Sequence, residues 1–202
     1  MSFSINIDLS DRDLEHFVAA RKKAEESSGK YTDAQVIDAA HKLLDEALKS
    51  EVPDFIAQRL SVLNDLIAML QDEGWALPED ERKRVLGSLI YFVDEGDIIP
   101  DTVPVLGFLD DAIMIELCTR ELKHELDAYR DFCDYRQREA NRLDMDPATI
   151  GRADFLEGRR EELIDRMRSR RGAEREMGVG YGRTSGWSSG KSYNSWRPGF
   201  RR

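Results

Sequence analysis

Apolar and polar residues alternate at the start of the chain: Phe3, Ile5, Ile7 and Leu9 are separated by Ser4, Asn6 and Asp8. A period of two predicts a short strand with one buried face. The period then becomes helical. Ser10 is placed to cap a helix from Asp11 to about Ser27 that carries Leu14, Phe17, Val18 and Ala24 on one face and stops at Gly29. Thr32 with Gln35 three residues later spells a capping box, followed by a continuous apolar stripe of Val36, Ile37, Ala40, Leu43, Leu44, Ala47 and Leu48. A third helix is predicted from about Pro53 to Asp72 through Phe55, Ile56, Leu60, Leu63, Leu66, Ile67 and Leu70, ending at Gly74. A fourth follows Pro78 and reaches about Val93. A loop punctuated by Gly96, Pro100, Pro104 and Gly107 leads into one long helix from Phe108 to Leu143. Asp146 before Pro147 then starts a very polar helix, about Ala148 to Met177, whose few apolar positions fit an extended arm.

These elements predict an all-α protein. It is a helical bundle with a central helical hairpin, one short N-terminal strand, a long polar C-terminal helix and a disordered tail. The expected division is a strand-helix-helix segment at residues 1–52, a helical domain at 53–146, the polar helix at 147–177 and the tail at 178–202.

A lone strand cannot satisfy its own backbone groups and needs a partner edge. The same strand in a second copy supplies one, so a homodimer through residues 3–50 is expected. Strand, helix, glycine turn and helix within some fifty residues resemble the ribbon-helix-helix dimer fold, whose strand reads DNA. Here the outward side chains would be Ser4, Asn6 and Asp8, and residues 1–52 carry seven basic against eleven acidic groups. That polarity opposes operator binding.

Composition narrows the class. At 202 residues, 41% apolar and 35% charged, the chain is long enough to bury a core and is neither collagen, a disulfide miniprotein nor a wholly disordered chain. The longest uncharged stretch of its apolar region, Val85 to Val93, is nine residues, against the roughly 18–20 needed to span a bilayer. The N-terminus has no basic leader or apolar signal core, so a cytoplasmic location, peripheral to a membrane at most, is expected. The net charge of −10 conceals a division: residues from Arg166 onward carry ten basic and two acidic groups, a net of +8, which leaves −18 for residues 1–165. An acidic body repels nucleic-acid phosphate, whereas the basic end suits phosphate, anionic lipid or the body itself. Cys118 and Cys133 are too far apart along one helix to pair, and without a CxxC or Cys/His cluster they read as reduced structural residues.

The most specific motif lies between the fourth and fifth helices. Tyr91 is followed by Asp97-Ile98-Ile99-Pro100-Asp101, then Pro104, Gly107 and the pair Asp110-Asp111. The segment from about Arg82 to Leu122 resembles the YkvA-like domain family, a bacterial domain of unknown function. Family members commonly have Ser-Pro ahead of the first aspartate, where this chain has Glu95-Gly96. The resemblance implies a helical hairpin and, in some relatives, proximity to a membrane, but no known reaction.

Two chemistries fit the motif. Pro100 and Pro104 remove backbone donors from the crossing, while Asp101 and Asp110 are placed to cap helix starts and Gly107 permits a close turn. Alternatively, Asp94, Asp97, Asp101, Asp110 and Asp111 put five carboxylates within eighteen residues. Clustered oxygens are what Mg²⁺, Mn²⁺ or Ca²⁺ take, with Asp97, Asp101, Asp110 and Asp111 as the ligand set. Such a metal would be structural or would activate water for phosphoester hydrolysis. No phosphate loop or nucleophile elbow accompanies it, which favours a non-enzymatic interaction or regulatory module over a hydrolase. His16, His41 and His124 each follow an acid by three residues and read as ordinary surface pairs.

The last 25 residues hold six of the fourteen glycines, two of the three tryptophans, five positive charges and no acid. Tyr181, Arg183, Trp187, Lys191, Trp196 and Arg197 interleave aromatics with cations, which suits single-stranded nucleic acid or an anionic membrane surface. Arg166, Arg168, Arg170 and Arg171 extend the basic character upstream, so any ligand of the tail is expected to engage that helix as well.

Overall fold

The computed structural model describes residues 10–26, 30–50, 52–93, 103, 107–147, 150 and 154–176. The predicted strand, the motif residues Asp97, Asp101 and Pro104, and the tail lie outside the described residues. Among those described there are seven α-helices and no strand: α1 (Asp11–Glu26), α2 (Asp33–Leu48), α3 (Asp54–Gln71), α4 (Glu79–Leu89), α5 (Leu109–Glu121), α6 (Lys123–Leu143) and α7 (Asp154–Glu176). A 3₁₀ turn, Ile90–Val93, continues α4.

Helix α2 starts where its capping box places it. The Gln35 amide donates to Thr32 Oγ1 at 3.3 Å and the Thr32 amide donates to Gln35 Oε1 at 2.8 Å, so two orphan donors of the first turn are satisfied reciprocally. Its stripe buries Val36, Ile37, Ala40, Leu43 and Ala47, but the last residue, Leu48, is 83% exposed. Helix α3 is buried nearly all round from Val62 to Leu70, as befits a central helix, and packs on α2, α4, α5 and α6. Cluster residues run without a break from α2 through α7. Helix α1 lies on the 3₁₀ turn, with Leu14 and Phe17 covering Tyr91, Met114 and Leu117, whereas Val18 of the expected apolar face is exposed.

Three expectations are corrected. The single helix from Phe108 to Leu143 is two helices, broken at Leu122, whose φ of −99° and ψ of 20° leave the helical region. Leu122 is fully buried there, so the break is fixed by packing and carries no Pro or Gly signal. Cys118 and Cys133 consequently stand on different helices, both buried and neither in a disulfide. Ile150 is not helical, so helix α7, described over Asp154–Glu176, starts after it rather than near Ala148. Nor is it an isolated arm, because Leu156, Leu163, Ile164 and Met167 are buried in the shared core and α7 packs along α6. No described helix is long and apolar enough to cross a membrane.

Candidate functional site

The described part of the motif is built into the core. Tyr91 is buried against Met114 and Leu117, with the Phe92 ring edge-on at 5.6 Å. Gly107 is buried and donates its amide to the Val103 carbonyl at 2.9 Å. Asp110 is not the cap of α5: that position is Phe108, with no side-chain cap bond, and Asp110 and Asp111 occupy the first turn behind it. They still place negative charge at the positive end of the helix dipole. Both are buried, at 1% and 5% exposure, and neither is without a partner. Among the described residues, no group of three or more His, Cys, Asp or Glu is placed to hold a metal ion.

Elsewhere, buried carboxylates are held by arginines of other helices. Where α3 ends, Asp72 Oδ1 accepts from the amides of Gly74 and Trp75 at 2.9 and 3.2 Å, which closes the turn toward α4. The same carboxylate receives both terminal nitrogens of Arg136 at 2.9 and 2.7 Å and the Tyr129 hydroxyl at 3.1 Å. Trp75 seals this centre, 5.9 Å from the Tyr129 ring and 5.1 Å from Phe132. Burial pushes the Tyr129 hydroxyl well above its ordinary range and the neighbouring Cys133 thiol up to about 12, so neither ionises near neutrality. For Arg136, burial alone would favour deprotonation, and the Asp72 hydrogen bonds and charge outweigh it and raise its pKa. One layer away, Arg130 holds buried Asp65 at 2.8 Å.

A second centre joins α4, α6 and α7. Glu81 and Glu125 are 1% and 0% exposed. Arg84 Nε donates to Glu125 at 3.1 Å, and Arg171 bridges the two carboxylates, at 2.9 Å to Glu81 Oε1 and 2.7 Å to Glu125 Oε1. Arg168 adds a bond of 3.0 Å to Glu81. Burial would raise the Glu81 carboxyl, but hydrogen bonds and charge from Arg171 and Arg168 hold it below its ordinary value. Hydrogen bonds to Glu81, then to Glu125, raise Arg171. Farther along α7, Arg166 reaches Asp131 at 3.0 Å. Three of the arginines assigned to a tail ligand, Arg166, Arg168 and Arg171, are thus engaged by the acidic body of the chain itself.

His124 is not a surface partner of Glu121. It is buried, with Nε2 2.8 Å from Glu174 of α7, and neither ring nitrogen makes a hydrogen bond of suitable geometry. It lines an open depression of about 350 Å³ together with Lys123, Asp127, Arg170, Ala173 and Glu174.

The sequence reading missed Asp72, Glu81, Glu125 and Arg136. One of them carried a signal. Leu122, just before α6, and Leu126, Tyr129, Cys133, Arg136 and Ala140 on its inward face follow a 4-3-4-3-4 spacing, so Arg136 occupies an apolar seam position where a charge requires a buried partner. Glu81 and Glu125 have no comparable mark.

Residues 82–117 match the family model described as a protein of unknown function (DUF1232). Every motif position from Tyr91 to Asp111 falls inside that match. No curated protein and no solved structure matches the chain.

Proposed function

We propose that this protein is a non-enzymatic interaction or regulatory module built around a YkvA-like domain. The observation that supports this reading is the use made of its buried carboxylates. Asp65, Asp72, Glu81 and Glu125 each bind an arginine from another helix, so they join helices and are not left to bind substrate. The partners belong to the chain ends: a second copy through residues 3–50, and single-stranded nucleic acid or an anionic membrane surface through the tail, from a cytoplasmic location. The tail's cations after residue 176 number five, with no acid among them.

A metal-dependent hydrolase using Asp97, Asp101, Asp110 and Asp111 is the alternative, and the adjacent buried pair Asp110 and Asp111 favours it. Thermal unfolding with chelator and then with Mg²⁺, Mn²⁺ or Ca²⁺, on the wild type and on Asp97→Ala and Asp111→Asn, separates the two. The module predicts no ion-dependent rise in the midpoint. A rise that either substitution abolishes, with phosphoester turnover, would overturn it; an ion at 100 times its Kd adds about 2.7 kcal/mol to the folded state.

A further inference from the structure

Helix α7 is attached in two different ways along its length. From Asp154 to Met167 it is anchored by Leu156, Leu163, Ile164 and Met167, all buried. Arg160 there also donates to the Trp75 and Ala76 carbonyls at 3.4 and 3.2 Å. From Arg168 to Glu174 no residue is buried, and the attachments are polar: ion pairs of Arg168 and Arg171 with Glu81 and of Arg171 with Glu125, and the contact of Glu174 with His124. The outer members of these pairs are wet, since the Arg168 and Glu174 side chains are 45% and 44% exposed. Beneath them, Glu125 Oε2 is buried with no hydrogen-bond partner, so the closed state is incompletely satisfied at its floor.

We infer that residues 168–174 form an ionic clasp that opens from the body independently of the first half of α7. Apolar burial resists separation at any ionic strength, whereas charge pairs with a solvent-facing partner weaken as counterions screen them. A helix end without an apolar anchor opens as a unit of its own, below the free energy of global unfolding. Opening releases Arg168 and Arg171 to join Arg170 in one cationic stretch that runs on into the five cations after residue 176. In the closed state Glu81 and Glu125 hold the first two of these arginines. The clasp therefore sets how much positive charge the C-terminal end presents.

Amide hydrogen exchange on the full-length protein, read by mass spectrometry, tests this. Between about 0.01 and 1 M salt the screening length falls from about 30 to 3 Å. Exchange in 168–174 is expected to quicken about tenfold or more over that range, while 156–167 stays unchanged. Glu81→Gln should give fast exchange in 168–174 at low salt and remove most of the salt response. Arg168→Gln, at an exposed position, should do the same more weakly and keeps the test open if Glu81→Gln does not fold. Equal exchange in both halves of α7 at every salt concentration would overturn the clasp, as would protection of 168–174 that neither substitution changes.

Discussion

Two arginine–carboxylate centres hold this bundle together, and they differ in what surrounds them. The Asp72–Arg136 pair lies under Trp75, Tyr129 and Phe132, with both partners almost fully buried, and its carboxylate also closes the turn after α3. The Glu81–Glu125 centre has a buried floor but a wet lid: Arg84 of α4 holds Glu125 from within the body, whereas Arg168 and Arg171 come from the unanchored end of α7. The same chemistry is thus a fixed joint in one place and a removable attachment in the other. Surrounding apolar packing makes the difference: it withholds water from both partners of the first pair and from only one side of the second.

The largest expected effect separates the two centres directly. Arg136→Met leaves Asp72 buried without its charge partner and should lower stability by about 3–5 kcal/mol in chemical denaturation. Adding Asp72→Asn should recover part of that loss, since the amide oxygen still accepts from Gly74 and Trp75 without burying charge. A single-variant loss below about 1 kcal/mol would mean that both centres are equally wet.

Within α7 the contrast is between Leu163→Ala and Glu81→Gln. Loss of the buried leucine should cost about 2–5 kcal/mol in global unfolding. Loss of the Glu81 charge should cost roughly 1 kcal/mol, because one of its arginines is solvent-facing. Comparable losses would erase the distinction between the two halves of the helix.

Acid should open the second centre. The Glu81 carboxyl is depressed in the folded state, so its contribution is complete above the ordinary glutamate range of about 4.3 and is lost as the pH falls through the lower folded value. Melting curves between about pH 6 and 3 should show a steeper fall for wild type than for Glu81→Gln. Parallel curves would assign the acid response to other carboxylates.

The smallest effect concerns the turn that Asp72 closes. Ala76 has φ of 43°, a left-handed conformation that glycine adopts freely. Ala76→Gly should raise the unfolding free energy slightly, by at most about 1 kcal/mol, because relief of left-handed strain is offset by a looser unfolded chain. A fall would show that the alanine methyl contributes packing beneath Arg160, whose guanidinium bonds the Ala76 carbonyl.

Much of the bundle was legible from local chemistry. The reciprocal Thr32 and Gln35 bonds, the stripe behind them and the apolar run of α3 depend on residues within a turn or two of one another. The break at Leu122 was not legible, because it answers to burial of that side chain among other helices. The course of α7 was misjudged for a related reason: four apolar anchors among many charges look sparse until their common face meets α6. The motif between α4 and α5 was recognisable as a pattern, yet its described aspartates occupy the first turn of α5 and not the cap that the pattern suggested.

The sequence by itself determined the all-helical class, most of the helices, the capping box of α2, the division between an acidic body and a basic end, and the family resemblance of the segment near Tyr91. Periodicity, capping and net charge are local or additive, so they survive being read along a line. Tertiary structure decided which charges are buried, which arginine meets which carboxylate, and that the basic arm turns back onto the acidic body. Those outcomes join residues such as Glu81 and Arg171, 90 positions apart, and depend on desolvation, which exists only once the helices have packed.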